Sequence, residues 1–183
     1  MTGSTSTERE LIQRTLDGDD RAYADLIAMH QQTVATICIH MLKDRNLADE
    51  VGQEVFVRLY NGLKTFRHDA SLKTFVSRIA MNLSLNKIKQ QKTWWNRFTD
   101  LDSGPDPATS VTQDNFERKE LIRKALSSID ERARSLIVLR MIEGYSVKET
   151  AEILEIKEGT VMSGTKRAME KMKNELTKLG YEG

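Results

Sequence analysis

The chain has 183 residues, 39% of them hydrophobic and 30% charged, with a formal net charge of +1. That suffices for one ordinary domain or two small ones and excludes a disordered or fibrous chain. No apolar run approaches the ~18 residues of a membrane span, the polar start MTGSTSTERE does not read as a secretory signal, and the single Cys38 has no disulfide partner, so a cytoplasmic setting is expected.

Almost every segment has helical spacing and none has a convincing period of two, which predicts an all-α fold. Thr7 and Glu10 form a capping box for a short helix that ends at Gly18. A second helix follows Asp19 or Asp20, with Tyr23, Leu26, Ile27, Val34, Ile37, Cys38, Met41 and Leu42 as its apolar positions at helical spacing. A third starts near Asn46 and buries Val51, Val55, Leu59 and Leu63. Its other face carries Asp49, Glu50, Gln53, Glu54 and Arg58. The loop FRHDAS follows, and Ser71 is suited to cap a fourth helix with Leu72, Phe75, Val76 and Ile79 turned inward.

The composition then shifts. Ser84 to Arg97 holds Lys87, Lys89, Lys92 and Arg97 and no acid, with Trp94 and Trp95 near its end. Phe98 to Asp114 holds four aspartates and no base, and both prolines of the chain, Pro105 and Pro107. This reads as an extended, mobile acidic linker. Helices resume near Asn115, and another is expected from Glu131 to about Glu143. The expected organisation is a helical domain over residues 1–95, a linker over 96–114 and a second helical domain over 115–183.

Two motifs stand out. In SVKETAEILEIKEGTV, Ser146 and Glu149 make a capping box, so a short helix starts at Val147. A turn over Glu155 to Glu158 leads into a longer helix opened by Gly159 and Thr160. Short helix, tight turn and longer helix make a helix-turn-helix. In the N-terminal half, an acidic helix face is followed some forty residues later by a basic helix end with interleaved aromatics. Lysines neutralise phosphates and aromatic rings stack on unpaired bases, so the basic end suits nucleic acid.

LADEVGQEVFVRLYNGLKTFRHDASLKTFVSRIAMNLSLNKIK resembles the second region of the extracytoplasmic-function (ECF) sigma factors, a class of the sigma-70 family. ALSSIDERARSLIVLRMIEGYSVKETAEILEIKEGTV resembles their fourth region. The resemblance implies a sigma-2-like bundle and a sigma-4-like helix-turn-helix on a dissociable subunit of bacterial RNA polymerase. It implies that Asp49, Glu50, Gln53 and Glu54 hold the polymerase clamp. It also implies that Arg67, His68, Asp69, Ser71 and Asn82 capture a flipped base of the single-stranded −10 element, with Lys87 and Lys89 at the DNA backbone. The C-terminal unit is implied to bind the polymerase flap and read the −35 element. An anti-sigma factor is the further partner that the class implies. A regulator or sigma-like adaptor that has lost promoter-directing activity is the alternative.

The sequence departs from the family's usual pattern at the reading helix. Glu155 stands where Gly is common and Lys157 where Ser is common, removing the residues best suited to a left-handed turn and to a helix cap. Met162 and Gly164 stand where basic residues are common. That leaves Lys157, Thr160, Ser163, Lys166, Arg167 and Lys171 to contact the −35 element. Restoring charge with Met162→Lys and Gly164→Arg is expected to tighten duplex binding. Gly52, Phe75 and Asn86 are milder departures in the first half.

No catalytic motif is present: there is no P-loop, GxSxG or HExxH. DLDSGPD starts like a calcium loop but places Gly and Pro where a ligand and the turn glycine belong. Cys38 and His40 point to different faces of one helix. The chain is therefore read as a non-enzyme with no cofactor and no metal.

Overall fold

The computed structural model of the chain describes residues 3–67, 69–98 and 115–181, with side chains for 8–67, 69–93 and 120–181. Among these residues every regular element is helical: α1 (Gly3–Leu16), α2 (Asp20–Leu42), α3 (Arg45–Leu63), α4 (Leu72–Phe98), α5 (Asn115–Ser128), α6 (Glu131–Ile137), α7 (Val147–Leu154) and α8 (Glu158–Lys178). The linker segment 99–114 and His68 lie outside the described residues.

Short polar side chains start most of these helices. Asp19 Oδ1 accepts from the backbone N–H groups of Arg21 and Ala22 at the head of α2. Asp44 does the same for Leu47 of α3 at 3.0 Å, and Ser71 for Thr74 of α4 at 3.0 Å. Asp130 accepts from Ala133 of α6 at 2.9 Å. Each satisfies a donor that the first helical turn leaves without an intrahelical acceptor. The capping box at α7 is complete: Glu149 N–H donates to Ser146 Oγ at 3.2 Å, and Ser146 N–H to the Glu149 carboxylate at 2.8 Å.

Helices α1 to α4 form a bundle around Leu26, Ile37, Met41, Val55, Leu59, Leu72, Val76 and Met81, all buried. A second core lies among α5 to α8, around Leu126, Ile129, Leu136, Ile137, Ala151, Val161 and Ala168. The two units touch. Val138, Leu139, Tyr145 and Ile153 of the second belong to the buried cluster of the first.

A widened turn makes this possible. The periodicity predicted one uninterrupted helix to about Glu143. Instead α6 gives way at Val138–Ile142 to a π turn. Glu143 N–H bonds Val138 O at 2.9 Å, a five-residue step. One extra residue in a turn rotates the side chains that follow. Leu136 and Ile137 therefore stay in the C-terminal core while Val138 and Leu139 reach the N-terminal one.

The helix-turn-helix has the expected form. Glu155 ends α7 in the left-handed region (φ 54°, ψ 43°), a conformation for which it carries a steric penalty that glycine avoids. Lys157 precedes α8 in extended conformation with no side-chain cap. One expectation is corrected here. Gly164 does not present an outward face on which an arginine is missing. A Cβ placed on it would stand 2.8 Å from Leu136 Cδ1. The glycine is the contact that lets α8 approach α6, so an arginine there meets the core rather than DNA.

Candidate nucleic-acid interface

The acidic face of α3 is presented to solvent: Asp49, Glu50, Gln53 and Glu54 are all exposed, opposite the buried Val51, Val55 and Leu59. Val57, 62% exposed, adds an apolar side chain to this outward surface. Glu54 pairs with Arg58 one turn on, at 2.6 Å. Glu50 pairs across to Lys87 of α4 at 2.9 Å. The resemblance assigns these two residues to different partners, polymerase and DNA, yet they share one ion pair. Both are substantially solvated, so the pair is weak and exchangeable.

The loop after α3 and the first turns of α4 enclose a cavity of about 370 Å³. Arg67 and Asp69, two of the residues the resemblance implies for the −10 element, line it from the loop. Phe66, Phe75 and Arg78 line it too, and the sequence reading did not assign them to the site. The two rings lie 5.1 Å apart, and the Arg78 guanidinium sits 5.6 Å over the Phe75 ring. Gly62 makes room for this ring, since a Cβ there would stand 3.1 Å from Phe75 Cζ. Aromatic rings beside guanidinium groups are a surface on which an unpaired base can stack while its phosphates meet positive charge. The signal was available: Phe66 flanks the polar loop, and Phe75 and Arg78 are one helical turn apart. Inward periodicity alone had assigned Phe75 to the core.

Other expected residues fall differently. Ser71 has its hydroxyl engaged as the α4 cap, also 2.9 Å from Thr74 Oγ1. Asn82 is exposed on α4, a turn beyond Arg78, and is not part of the cavity lining. Lys89 is exposed another two turns on. These positions extend a polar track along α4 away from the cavity.

On α8, Lys157, Ser163, Lys166, Arg167 and Lys171 are exposed and Thr160 is half-buried. Met162 is 64% exposed, so an apolar side chain stands on the outward face. Ser163 Oγ donates to Gly159 O at 3.0 Å, and Arg167 Nε donates to Ser163 O at 3.3 Å. Lys171 is tied to Asp130 at the head of α6. The Lys171 ammonium, followed by the Ala133 N–H, holds the Asp130 carboxyl below its ordinary range. Lys171, expected from the sequence among the −35 contacts, thus has a partner within the C-terminal unit.

A third surface is apolar. Ile122, Met141, Ile142, Met169, Met172 and Tyr181 line a groove of about 600 Å³ between α5, the π turn and α8. Exposed methionines adapt their shape to a partner.

Among the described residues no group of His, Cys, Asp and Glu is arranged to hold a metal ion. Cys38 is buried, and burial pushes its thiol up to about 11, so it is a core residue without nucleophilic character. No helix among these residues is long and apolar enough to cross a membrane.

The sequence matches the family descriptions "Sigma-70 region 2" over residues 26–93 and "Sigma-70, region 4" over residues 119–172. Among relatives, the ECF RNA polymerase sigma factor SigW of Bacillus subtilis is 26% identical, the alignment covering 93% of this chain and 97% of that protein. The ECF RNA polymerase sigma-E factor of Escherichia coli is 27% identical, over 94% and 96% respectively. Among solved structures, CnrH in complex with the cytosolic domain of CnrY superposes with a TM-score of 0.69 at 25% identity, over 93% of this chain and 97% of that one. The sigma factor RpoE, in complex with the anti-sigma factor NepR from Bartonella quintana, gives 0.70 at 18% identity, over 85% and 96%, and so shares the fold. With both regions matched in order, and full-length relatives of one class on either side of the linker, the chain belongs to the sigma-70 family, in its extracytoplasmic-function class.

Proposed function

We propose that this chain is an alternative sigma factor: it binds core RNA polymerase and directs initiation at a subset of promoters, without chemistry of its own. The observation that carries the reading is the pairing, on one chain, of an aromatic cavity with two arginines in its wall, at the head of α4, with a helix-turn-helix at α7–α8. A duplex reader alone has no use for the first. Melting needs a site that returns the few kcal/mol lost when a base leaves the stack.

In this reading α3 meets the polymerase clamp through Asp49, Glu50, Gln53 and Glu54. The cavity takes an unstacked −10 base between Phe66, Phe75 and the two arginines, with Arg67 and Asp69 reading its edge. Asn82 and Lys89 follow the strand along α4, and Lys87 joins them once released from Glu50. The outward face of α8, from Lys157 to Arg167, lies in the major groove of the −35 element. Lacking a basic side chain at Met162, it binds weakly or reads an unusual sequence. The methionine-lined groove takes an apolar segment of the polymerase flap. CnrH and RpoE are solved with CnrY and the anti-sigma factor NepR respectively, and an anti-sigma factor is the partner expected to silence this chain too. Its working place is with polymerase in the bacterial cytoplasm.

The test is transcription by core polymerase from the chain's own host on fragmented host DNA, with the 5′ ends of the transcripts mapped. Discrete starts sharing a −10-like element are expected. An absence of starts with core binding intact supports the adaptor instead.

A further inference from the structure

We infer that Met162 reads a thymine: its thioether side chain meets the C5 methyl group of one thymine in the major groove of the −35 duplex, and this apolar contact sets the preferred base there. The inference rests on the reading of α8 as the helix that lies in that groove. Single exposed apolar residues are ordinary on protein surfaces, so exposure alone carries nothing. Position does. A helix-turn-helix meets base edges with the first residues of its second helix, and Met162 stands in the second turn of α8, which starts at Glu158.

The surroundings single it out. Val161 and Ala168 are buried in the C-terminal core, which turns Met162 and Ser163 outward together with Lys166 and Arg167. Met162 is 64% exposed. One turn earlier on the same face stands Gly159, where an added Cβ would meet nothing within 4 Å. The helix surface is therefore low just ahead of Met162, and a base edge can approach it without displacing a neighbour. The polar neighbours are turned to the helix backbone. Ser163 Oγ donates to Gly159 O at 3.0 Å, Thr165 Oγ1 to Val161 O at 2.7 Å, and Arg167 Nε to Ser163 O at 3.3 Å. Met169, the next exposed methionine of α8, lines the apolar groove instead.

The chemistry of the groove then selects the base. The C5 methyl of thymine is the apolar group displayed there, among hydrogen-bond donors and acceptors. A thioether donates no hydrogen and accepts only weakly. A guanine, cytosine or adenine edge pressed against Met162 loses its water without gaining a bond, whereas the methyl group loses nothing. Methionine is unbranched and its sulfur polarisable, so it fits itself to the methyl without a fixed docking angle. Ser163, whose proton is given to the backbone, keeps lone pairs for an amino hydrogen of a neighbouring adenine or cytosine. Lys166 and Arg167 anchor phosphates without regard to sequence.

The experiment selects binders from a pool of random-sequence duplexes, made once with thymidine and once with deoxyuridine, which lacks only the C5 methyl. The full chain is used, alone and with core polymerase. Wild type is expected to enrich a thymine at one fixed position of its motif in the thymidine pool and to lose that preference in the deoxyuridine pool. On the enriched duplex, replacing that one thymine by uracil is expected to weaken binding about four-fold, the contribution of one buried methyl. Met162→Ala, at an exposed site where truncation costs no packing, is expected to bind the thymine and uracil duplexes equally. Met162→Leu, still apolar and of similar volume, is expected to keep the difference. A wild-type chain that shows no thymine preference, or the same one in both pools, overturns the assignment, and so does a uracil effect that survives in Met162→Ala. Arg167→Ala then separates the two readings. If it weakens binding to all duplexes, α8 still meets DNA and only the thymine assignment falls. If it changes nothing, the reading of α8 falls and takes the assignment with it.

Discussion

Of three residues that set this chain apart, two carry more of the structure than their types suggest and one carries none. Arg134, buried, donates from Nε to Leu126 O at 2.8 Å, from Nη2 to Ile129 O at 2.9 Å and from Nη1 across to Met41 O. Burial lowers its pKa, yet carbonyl oxygens on three sides satisfy the guanidinium. Arg134→Met keeps the stem and strands those acceptors, so a loss of about 2–4 kcal/mol is expected in urea unfolding, since each stranded group costs about 1–3 kcal/mol. Gly164 is the second. A helix-propensity argument makes Gly164→Ala a gain of about 1 kcal/mol. The 2.8 Å approach to Leu136 Cδ1 outweighs it, because overpacking a core costs typically about 1–3 kcal/mol. A lower urea midpoint is expected for Gly164→Ala, and a lower one still for Gly164→Arg. Met162, the third, is free of such constraint. Met162→Lys alone is expected to tighten duplex binding and steepen its salt dependence by roughly one unit of log–log slope, as one added phosphate contact does. An unchanged slope would mean that this face of α8 does not meet DNA.

At the scale of elements, the caps decide where helices start, and several were readable, although the Thr7–Glu10 box was not one of them, because α1 already starts at Gly3. Asp19, Ser71, Ser146 and Glu149 are local signals, each acting within three residues, so one sequence suffices to find them. The helices themselves followed from apolar spacing for the same reason. The π turn at Val138–Ile142 was not readable. It exists because Leu136 and Ile137 serve one core and Val138 and Leu139 the other, and nothing in the local sequence announces a change of partner. Several caps are carboxylates, which links the C-terminal unit to pH. Glu149 is held below its ordinary range by the Ser146 hydroxyl and then its N–H, Asp130 by Lys171 and the Ala133 N–H, and Glu131 by Lys92. A depressed carboxyl contributes its stability fully above its unfolded pKa and loses it as pH falls through the folded one. The urea midpoint is therefore expected to be flat near neutrality and to fall as pH drops below about 4. A midpoint that rises with acidification would contradict these pairings.

At the scale of the whole molecule, the two regions were legible and their embrace was not. Order and spacing of motifs identify the units, whereas the pairing of Ser77 with Tyr145, 68 positions apart, is a tertiary fact. The candidate cavity was half legible. Its loop, Arg67 and Asp69, lay within a recognisable motif; Phe66, Phe75 and Arg78 join it through the turn into α4, and Glu152 through the packing of α7 on α4. The most direct measurement is footprinting of a promoter fragment, chosen from the mapped starts, with DNase I for duplex protection and permanganate for unpaired thymines, with the chain alone and with core polymerase. The expected result is no stable footprint for the chain alone and, with core present, protection over the −35 region together with reactive, unpaired thymines at −10. A stable duplex footprint by the chain alone, unchanged by core and without unpaired thymines, would mark a helix-turn-helix regulator and contradict a sigma factor.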